Sequence, residues 1–143
     1  MSLLRRAVAR LRPAVAYAPE VDGEPDPGEV VWAWVPYEED ASQGKDRPVL
    51  LLAQQESQQD SPWLGLMLSS QDHDRDAADE ARYGRHWMDV GSGGWDREGR
   101  PSEVRLDRLL VLPAETIRRE GAALDRAVFE EVVAAAREFH TLD

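Results

Sequence analysis

Arg47 stands directly before Pro48 in Gly44-Lys45-Asp46-Arg47-Pro48-Val49-Leu50, where a polar loop runs into an apolar segment. A guanidinium offers planar, paired donors to anionic oxygens and stays charged at any working pH. The proline fixes the backbone where the arginine leaves the loop, which helps to aim it. A second stretch, Leu66-Met67-Leu68-Ser69-Ser70-Gln71, ends an apolar run in two hydroxyls. One of them can add a donor to the same anion, or one can simply cap the turn that follows. His73 lies four residues beyond Ser69, between Asp72 and Asp74. It is either a proton carrier whose pKa the flanking carboxylates raise, or a solvated loop histidine. Val104-Arg105-Leu106-Asp107-Arg108-Leu109 sets an acid between two arginines, which reads as an ion pair or as part of a binding face. Trp95, after Gly93 and Gly94, either offers a ring for stacking or packs on the glycine turn.

The rest of the composition narrows the chemistry. There is no cysteine, which excludes disulfides, thiolate metal sites and a cysteine nucleophile. Asp72, His73, Asp74 and His86 do not make a metal site, because adjacent residues of an extended chain point to opposite sides. No metal and no cofactor is expected. The chain carries 28 acids against 17 bases, a net charge of −11, and Lys45 is the only lysine. That balance opposes non-specific attraction to nucleic acid. Glu38, Glu39, Asp40 and Asp46 concentrate negative charge in the loop beside Arg47. No apolar run approaches the ~20 residues of a membrane span. Arg10 and Arg12 break the stretch before Ala14-Val15-Ala16-Tyr17-Ala18, so no signal peptide is read and a cytoplasmic protein is expected.

These residues need elements to position them. The 143 residues suit one domain, and 42% of them are hydrophobic, enough for a single core. Residues 1–18 read as a basic amphipathic helix, with Leu3, Leu4, Ala7, Val8 and Leu11 on one face and four arginines on the other. It docks on its own domain, or on a membrane surface or partner. Residues 19–27 form an acidic Pro/Gly linker, and 28–143 the folded domain. Strands are expected at Val30–Val35, Val49–Ala53, Trp63–Leu68, His86–Val90, Glu103–Leu106 and Leu109–Leu112. Alternation puts Trp32 and Trp34 on one face, as core or dimer interface. One or two helical turns are expected around Asp76–Tyr83. The C-terminus predicts a helix capped by Asp125, with Leu124 stapled to Phe129 and with Val128, Phe129, Val132, Val133 and Ala136 facing inward. The fold class is α+β, β-rich.

Pro27-Gly28-Glu29-Val30-Val31-Trp32 completes a set of four pieces, with those holding Arg47, Ser69 and Asp107. In this order and spacing the set resembles the PemK/MazF family of growth-inhibitor toxins over about residues 27–137. That family opens on a Gly-acid-hydrophobic-Trp strand, has an Arg-Pro before a buried strand, a strand ending in a Thr/Ser pair, and a later Asp-centred strand. Gly44–Leu50 looks especially like its actinobacterial branch.

The resemblance implies a small antiparallel β-barrel of PemK/MazF/CcdB type with a packed C-terminal helix, acting as a homodimer. It implies a toxin component of a type II toxin–antitoxin system, cleaving single-stranded RNA without a metal to a 2′,3′-cyclic phosphate and a 5′-OH. Arg47 falls on the family's catalytic arginine. Ser69 falls where a catalytic threonine is usual, keeping the hydroxyl and losing the β-methyl that stiffens it. Lys45, Ser70, Gln71, His73, Trp95, Arg105, Asp107 and Arg108 are candidates for RNA contact, and Lys45, Arg47, Arg105 and Arg108 for the rim of the groove that a cognate antitoxin peptide would occupy. The alternative is a non-catalytic member of the same fold, serving as an RNA- or protein-binding module.

Overall fold

The computed structural model describes residues 15–18, 25–56, 60–70 and 77–142. In chain order they form β1 (Glu29–Pro36), β2 (Gly44–Gln54), β3 (Trp63–Ser69), α1 (Ala77–Arg82), β4 (Trp87–Gly91), β5 (Ser102–Arg105) and β6 (Leu110–Leu112). A 3-10 turn (Ala114–Thr116), β7 (Arg118–Ala123) and α2 (Arg126–Ala136) complete the chain. Residues 1–14 of the expected N-terminal helix and 19–24 of the expected linker lie outside the described residues, as do Gln71 and His73. Residues 15–18 are not helical. Tyr17 instead packs on Phe129 of α2, ring centroids 5.4 Å apart, and its hydroxyl donates to the Leu124 carbonyl at 2.8 Å.

The strands make one antiparallel sheet in the order β4-β5-β3-β2-β1-β7, with β6 also on β3. β3 is shared along its far edge: Trp63–Gly65 pair with β6, and Leu68 and Ser69 with β5. The expected adjacent trio β1, β2 and β3 is present. The hydrogen-bonded path runs open from β4 to β7, so the pairing does not close the expected barrel among the described residues.

Both faces of the central strands are covered, which is why β2 and β3 read as unbroken apolar runs rather than as alternating ones. Val30, Leu50, Leu66 and Leu68 pack with Phe129, Val132, Val133 and Ala136 of α2. On the opposite face, Val31, Ala33, Val35, Val49, Leu51 and Met67 pack with Leu110 and Leu112. The Asp125 side chain accepts from the Ala127 amide at 2.9 Å, the expected cap of α2. Burying each large α2 side chain stabilises the fold by roughly 1.5–3 kcal/mol gross. No helix among the described residues is long and apolar enough to cross a membrane.

One strand is not foreshadowed by the sequence. β7 carries two arginines, a glutamate, a glycine and two alanines, which have little preference for strands. It forms because β1 offers it an edge, with a register shift between Val30 and Val31. A bidentate ion pair fastens it, from Arg119 Nη2 and Nε to Glu29 at 2.7 and 3.1 Å. Glu29 is the acid of the opening Gly-acid motif, and it is buried.

Candidate active site

The register of β2 on β3 pairs Val49 with Met67. Continued two residues along each strand, it brings Arg47 opposite Ser69 on the same face of the sheet. Both residues line one cavity of about 380 Å³ at the end of the sheet, together with Lys45 and Ser70. Trp32 and Pro48 supply apolar wall, and Asp96, Arg100 and Ser102 close it from the β4–β5 connection. Arg47 is half-buried, Lys45 and Ser70 are exposed, and Ser69 is buried at 9% exposure. Two cations and two hydroxyls predicted as site residues therefore share one hollow.

The acidic loop beside Arg47 is largely consumed by other contacts. Glu38 Oε1 accepts from Arg105 Nη1 at 2.6 Å. Asp40 accepts from the hydroxyl and amide of Ser42 at 2.6 and 3.1 Å, and those bonds, the hydroxyl's first, hold its pKa below the ordinary value. Asp46 pairs with Arg118 at 3.2 Å, and Asp96 with Arg100 at 2.9 Å. Among the described residues, Arg47 and Lys45 make no ion pair. Asp46 is thus paired with Arg118, and Asp96 shares Arg100 with Glu98, while Lys45 and Arg47 are the cavity cations that make no ion pair among the described residues.

Other candidates are placed elsewhere. Arg105 is 5% exposed, with Nε and Nη2 bonded to Asp107 and Nη1 to Glu38. Burial opposes its charge, but these carboxylates outweigh burial and leave its pKa raised. Burial likewise works against the Asp107 charge, but Arg105 and the His86 amide, which donates at 2.6 Å, hold its pKa below the ordinary value. Arg108 Nη2 donates to the Pro36 carbonyl at 2.7 Å, and burial lowers its pKa. Arg105 and Asp107 thus form the ion pair that was one of the two readings of this stretch, and with Arg108 they make a clamp that ties the end of β1 and the β1–β2 loop to the end of β5 and the segment after it. Trp95 is 4% exposed, its ring lies against Gly93, and its Nε1 donates to Ser102 Oγ at 3.1 Å. No face of it is open for stacking; it packs on the glycine turn. Among the described residues no group of three His, Cys, Asp or Glu side chains is placed to hold a metal ion.

Several lining residues escaped the sequence reading. A second hollow of about 480 Å³ adjoins the first across Trp32, Asp46, Asp96 and Arg100, and reaches Arg97 and Arg118. Arg118 was unreadable because β7 itself was. Asp96 and Arg100 had one available signal, the Asp/Arg spacing of four in a Gly- and Pro-bounded connection.

The fold and cavity can now be set beside known families. The profile described as "PemK-like, MazF-like toxin of type II toxin-antitoxin system" matches residues 26–140. The chain belongs to this family. The match starts just before Glu29 and runs past the end of α2, so it takes in the whole sheet and the cavity of this PemK/MazF-like toxin. No curated protein matches the chain significantly.

Proposed function

We propose that this PemK/MazF-like toxin is a metal-independent endoribonuclease acting on single-stranded RNA. The observation that supports this reading is the meeting of Arg47, which has no ion-pair partner among the described residues, with Ser69 in one cavity whose acids are paired off. In the proposed reaction the ribose 2′-oxygen bonds to the adjacent phosphorus and its proton leaves to a base. The bond from phosphorus to the 5′-oxygen breaks, and that oxygen takes up a proton. The products are a 2′,3′-cyclic phosphate and a 5′-OH. Charge grows on the non-bridging oxygens as the bond forms. Arg47 meets that charge with paired donors, and the Ser69 hydroxyl adds another. Preorganised donors of this kind contribute about 3–4 kcal/mol each. Lys45 draws in the flanking phosphate, and Ser70 lies at the mouth of the same cavity.

The same reading includes a homodimer and an antitoxin peptide that competes with RNA for the groove. Exposed Val111 on β6 and Phe139 beyond α2 supply apolar surface for association. Sedimentation giving a monomer at micromolar concentration would remove the dimer. The test of the activity is induced expression, with growth followed and RNA 5′ ends mapped. Cleavage at one short recurrent motif, leaving 5′-OH ends, is the expected result. A folded protein that binds RNA and never cuts it leaves the binding-module function in its place.

A further inference from the structure

Trp34 is the feature of this face that neither the core nor the proposed chemistry uses. It is 52% exposed, although it lies in the middle of β1 between the buried Ala33 and Val35. Burying an indole on folding is among the larger hydrophobic gains open to a chain, so an exposed one needs a reason. The ring is not loose. It rests against Gly44, the first residue of β2: a Cβ placed there would lie 2.8 Å from Trp34 Cε2 and 2.9 Å from Nε1. Such a Cβ would also lie 2.5 Å from the Val35 carbonyl oxygen, so glycine at 44 lets both the neighbouring backbone and the indole approach this closely.

The position of this ring relates it to the groove. Trp34 pairs with Asp46, and Trp32 with Pro48, so the two indoles share a face of the sheet two residues apart along β1. Trp32 and Asp46 line both hollows. Trp34 is thus the next side chain on that face beyond Trp32, across from Asp46 and just outside the two hollows, while Lys45 and Arg47 alternate toward the other face of β2. Its neighbours on that face are charged and wet: the side chains of Asp46 and Arg118 are 47% and 56% exposed. The centre of a protein–protein interface is depleted of such residues. A large aromatic among exposed, mutually paired charges, on the strand face that leads into both hollows, has the make-up of a single-strand binding surface.

We infer that Trp34, seated on Gly44, is a nucleobase-stacking platform that holds a base of single-stranded RNA just outside the cavity of Arg47 and Ser69. The inference rests on the RNA-cleaving reading and adds a binding subsite to it. Every base has a π-face, so this subsite strengthens binding without selecting sequence. Sequence choice then falls to the hollow lined by Trp32, Asp96 and Arg97.

The test uses the Arg47→Ala protein, which leaves RNA intact, and a fluorescein-labelled pool of single-stranded RNA of randomised sequence. Fluorescence anisotropy is measured with and without Trp34→Ala or Trp34→Phe, and sedimentation is run on each protein. Trp34→Ala should weaken binding about tenfold, and Trp34→Phe, which keeps a π-face, should recover most of the loss. The sedimentation coefficient should not change. Equal RNA affinity with and without Trp34 in a parent that binds RNA overturns the platform alone. Loss of the dimer in Trp34→Ala, with RNA binding intact, makes the ring an interface between copies and also overturns it. A parent that does not bind the pool, together with a wild type that does not cleave, overturns the RNA reading and the platform with it.

Discussion

Arg47 has the simplest surroundings of any residue in the cavity, half-buried and with no carboxylate partner among the described residues. Arg47→Ala should therefore leave the fold intact and lower RNA cleavage at least ~100-fold, because the growing phosphate charge loses its main partner. Cleavage assays beside a thermal melt check both halves; full cleavage by the variant would place the chemistry elsewhere. Ser69 differs, since it is 9% exposed. Ser69→Ala should cost less activity than Arg47→Ala, as one hydrogen bond is lost and the cation remains. Ser69→Thr adds a methyl that stiffens the hydroxyl, and should cleave as fast as wild type or faster if the strand end accommodates it. That Arg47 and Ser69 meet at one cavity was legible, because a motif fixes their places in the chain and adjacent strands bring those places together. Trp95 was legible in part, since packing on the glycine turn was one of its two readings and its ring lies against Gly93. Arg105 was not legible as a buried group, because nothing local says that Glu38, 67 residues away in sequence, will reach it.

At the level of elements, the strands that could be read are those whose own residues favour a pleated, buried surface, such as Val30–Val35 and Trp63–Leu68. β7 could not be read, because its stability comes from pairing to β1 and from the Arg119–Glu29 bridge rather than from its composition. Helix α2 was legible from its cap and its apolar face, and it makes a sharp stability prediction. Phe129 is 2% exposed and touches Tyr17, so Phe129→Ala should cost about 3–5 kcal/mol in denaturant unfolding. The clamp predicts a pH dependence. The folded Asp107 has a pKa below the ordinary aspartate value of about 3.9, so its contribution is complete above that value. It is lost as the pH falls through the lower, folded pKa. Asp107→Asn should flatten this acid arm. At neutral pH it should destabilise the protein by about 2–3 kcal/mol, because Arg105, with its side chain 6% exposed, keeps only Glu38 as a carboxylate partner among the described residues. Urea unfolding at several pH values measures both effects; parallel profiles for variant and wild type would remove the clamp.

At the scale of the whole molecule, the acidity of the chain opposes the anionic substrate proposed for it. Its net charge is −11, yet Glu38, Asp46 and Asp96 near the cavity are paired with Arg105, Arg118 and Arg100. Composition alone predicted repulsion, since it cannot say which carboxylates are already matched. The pairing leaves Lys45 and Arg47 to neutralise phosphate, with Arg118 close by but engaged with Asp46. Counterion release then has few contributors. For a single strand, the slope of log affinity against log salt is about −0.7 for each phosphate neutralised, so two contacts give roughly −1.4. The background of negative charge lowers affinity at low salt, and screening relieves part of that penalty as salt rises, which makes the observed slope shallower still. Titrations of single-stranded RNA at rising salt should therefore give a slope between about −1 and −1.5. Lys45→Ala should bring it about 0.7 closer to zero, while Arg105→Ala, which removes a cation turned inward, should leave it where it was. A slope of about −4 or steeper would mean a broad basic surface, and the groove between Arg47, Ser69 and Trp34 would not be where the RNA lies.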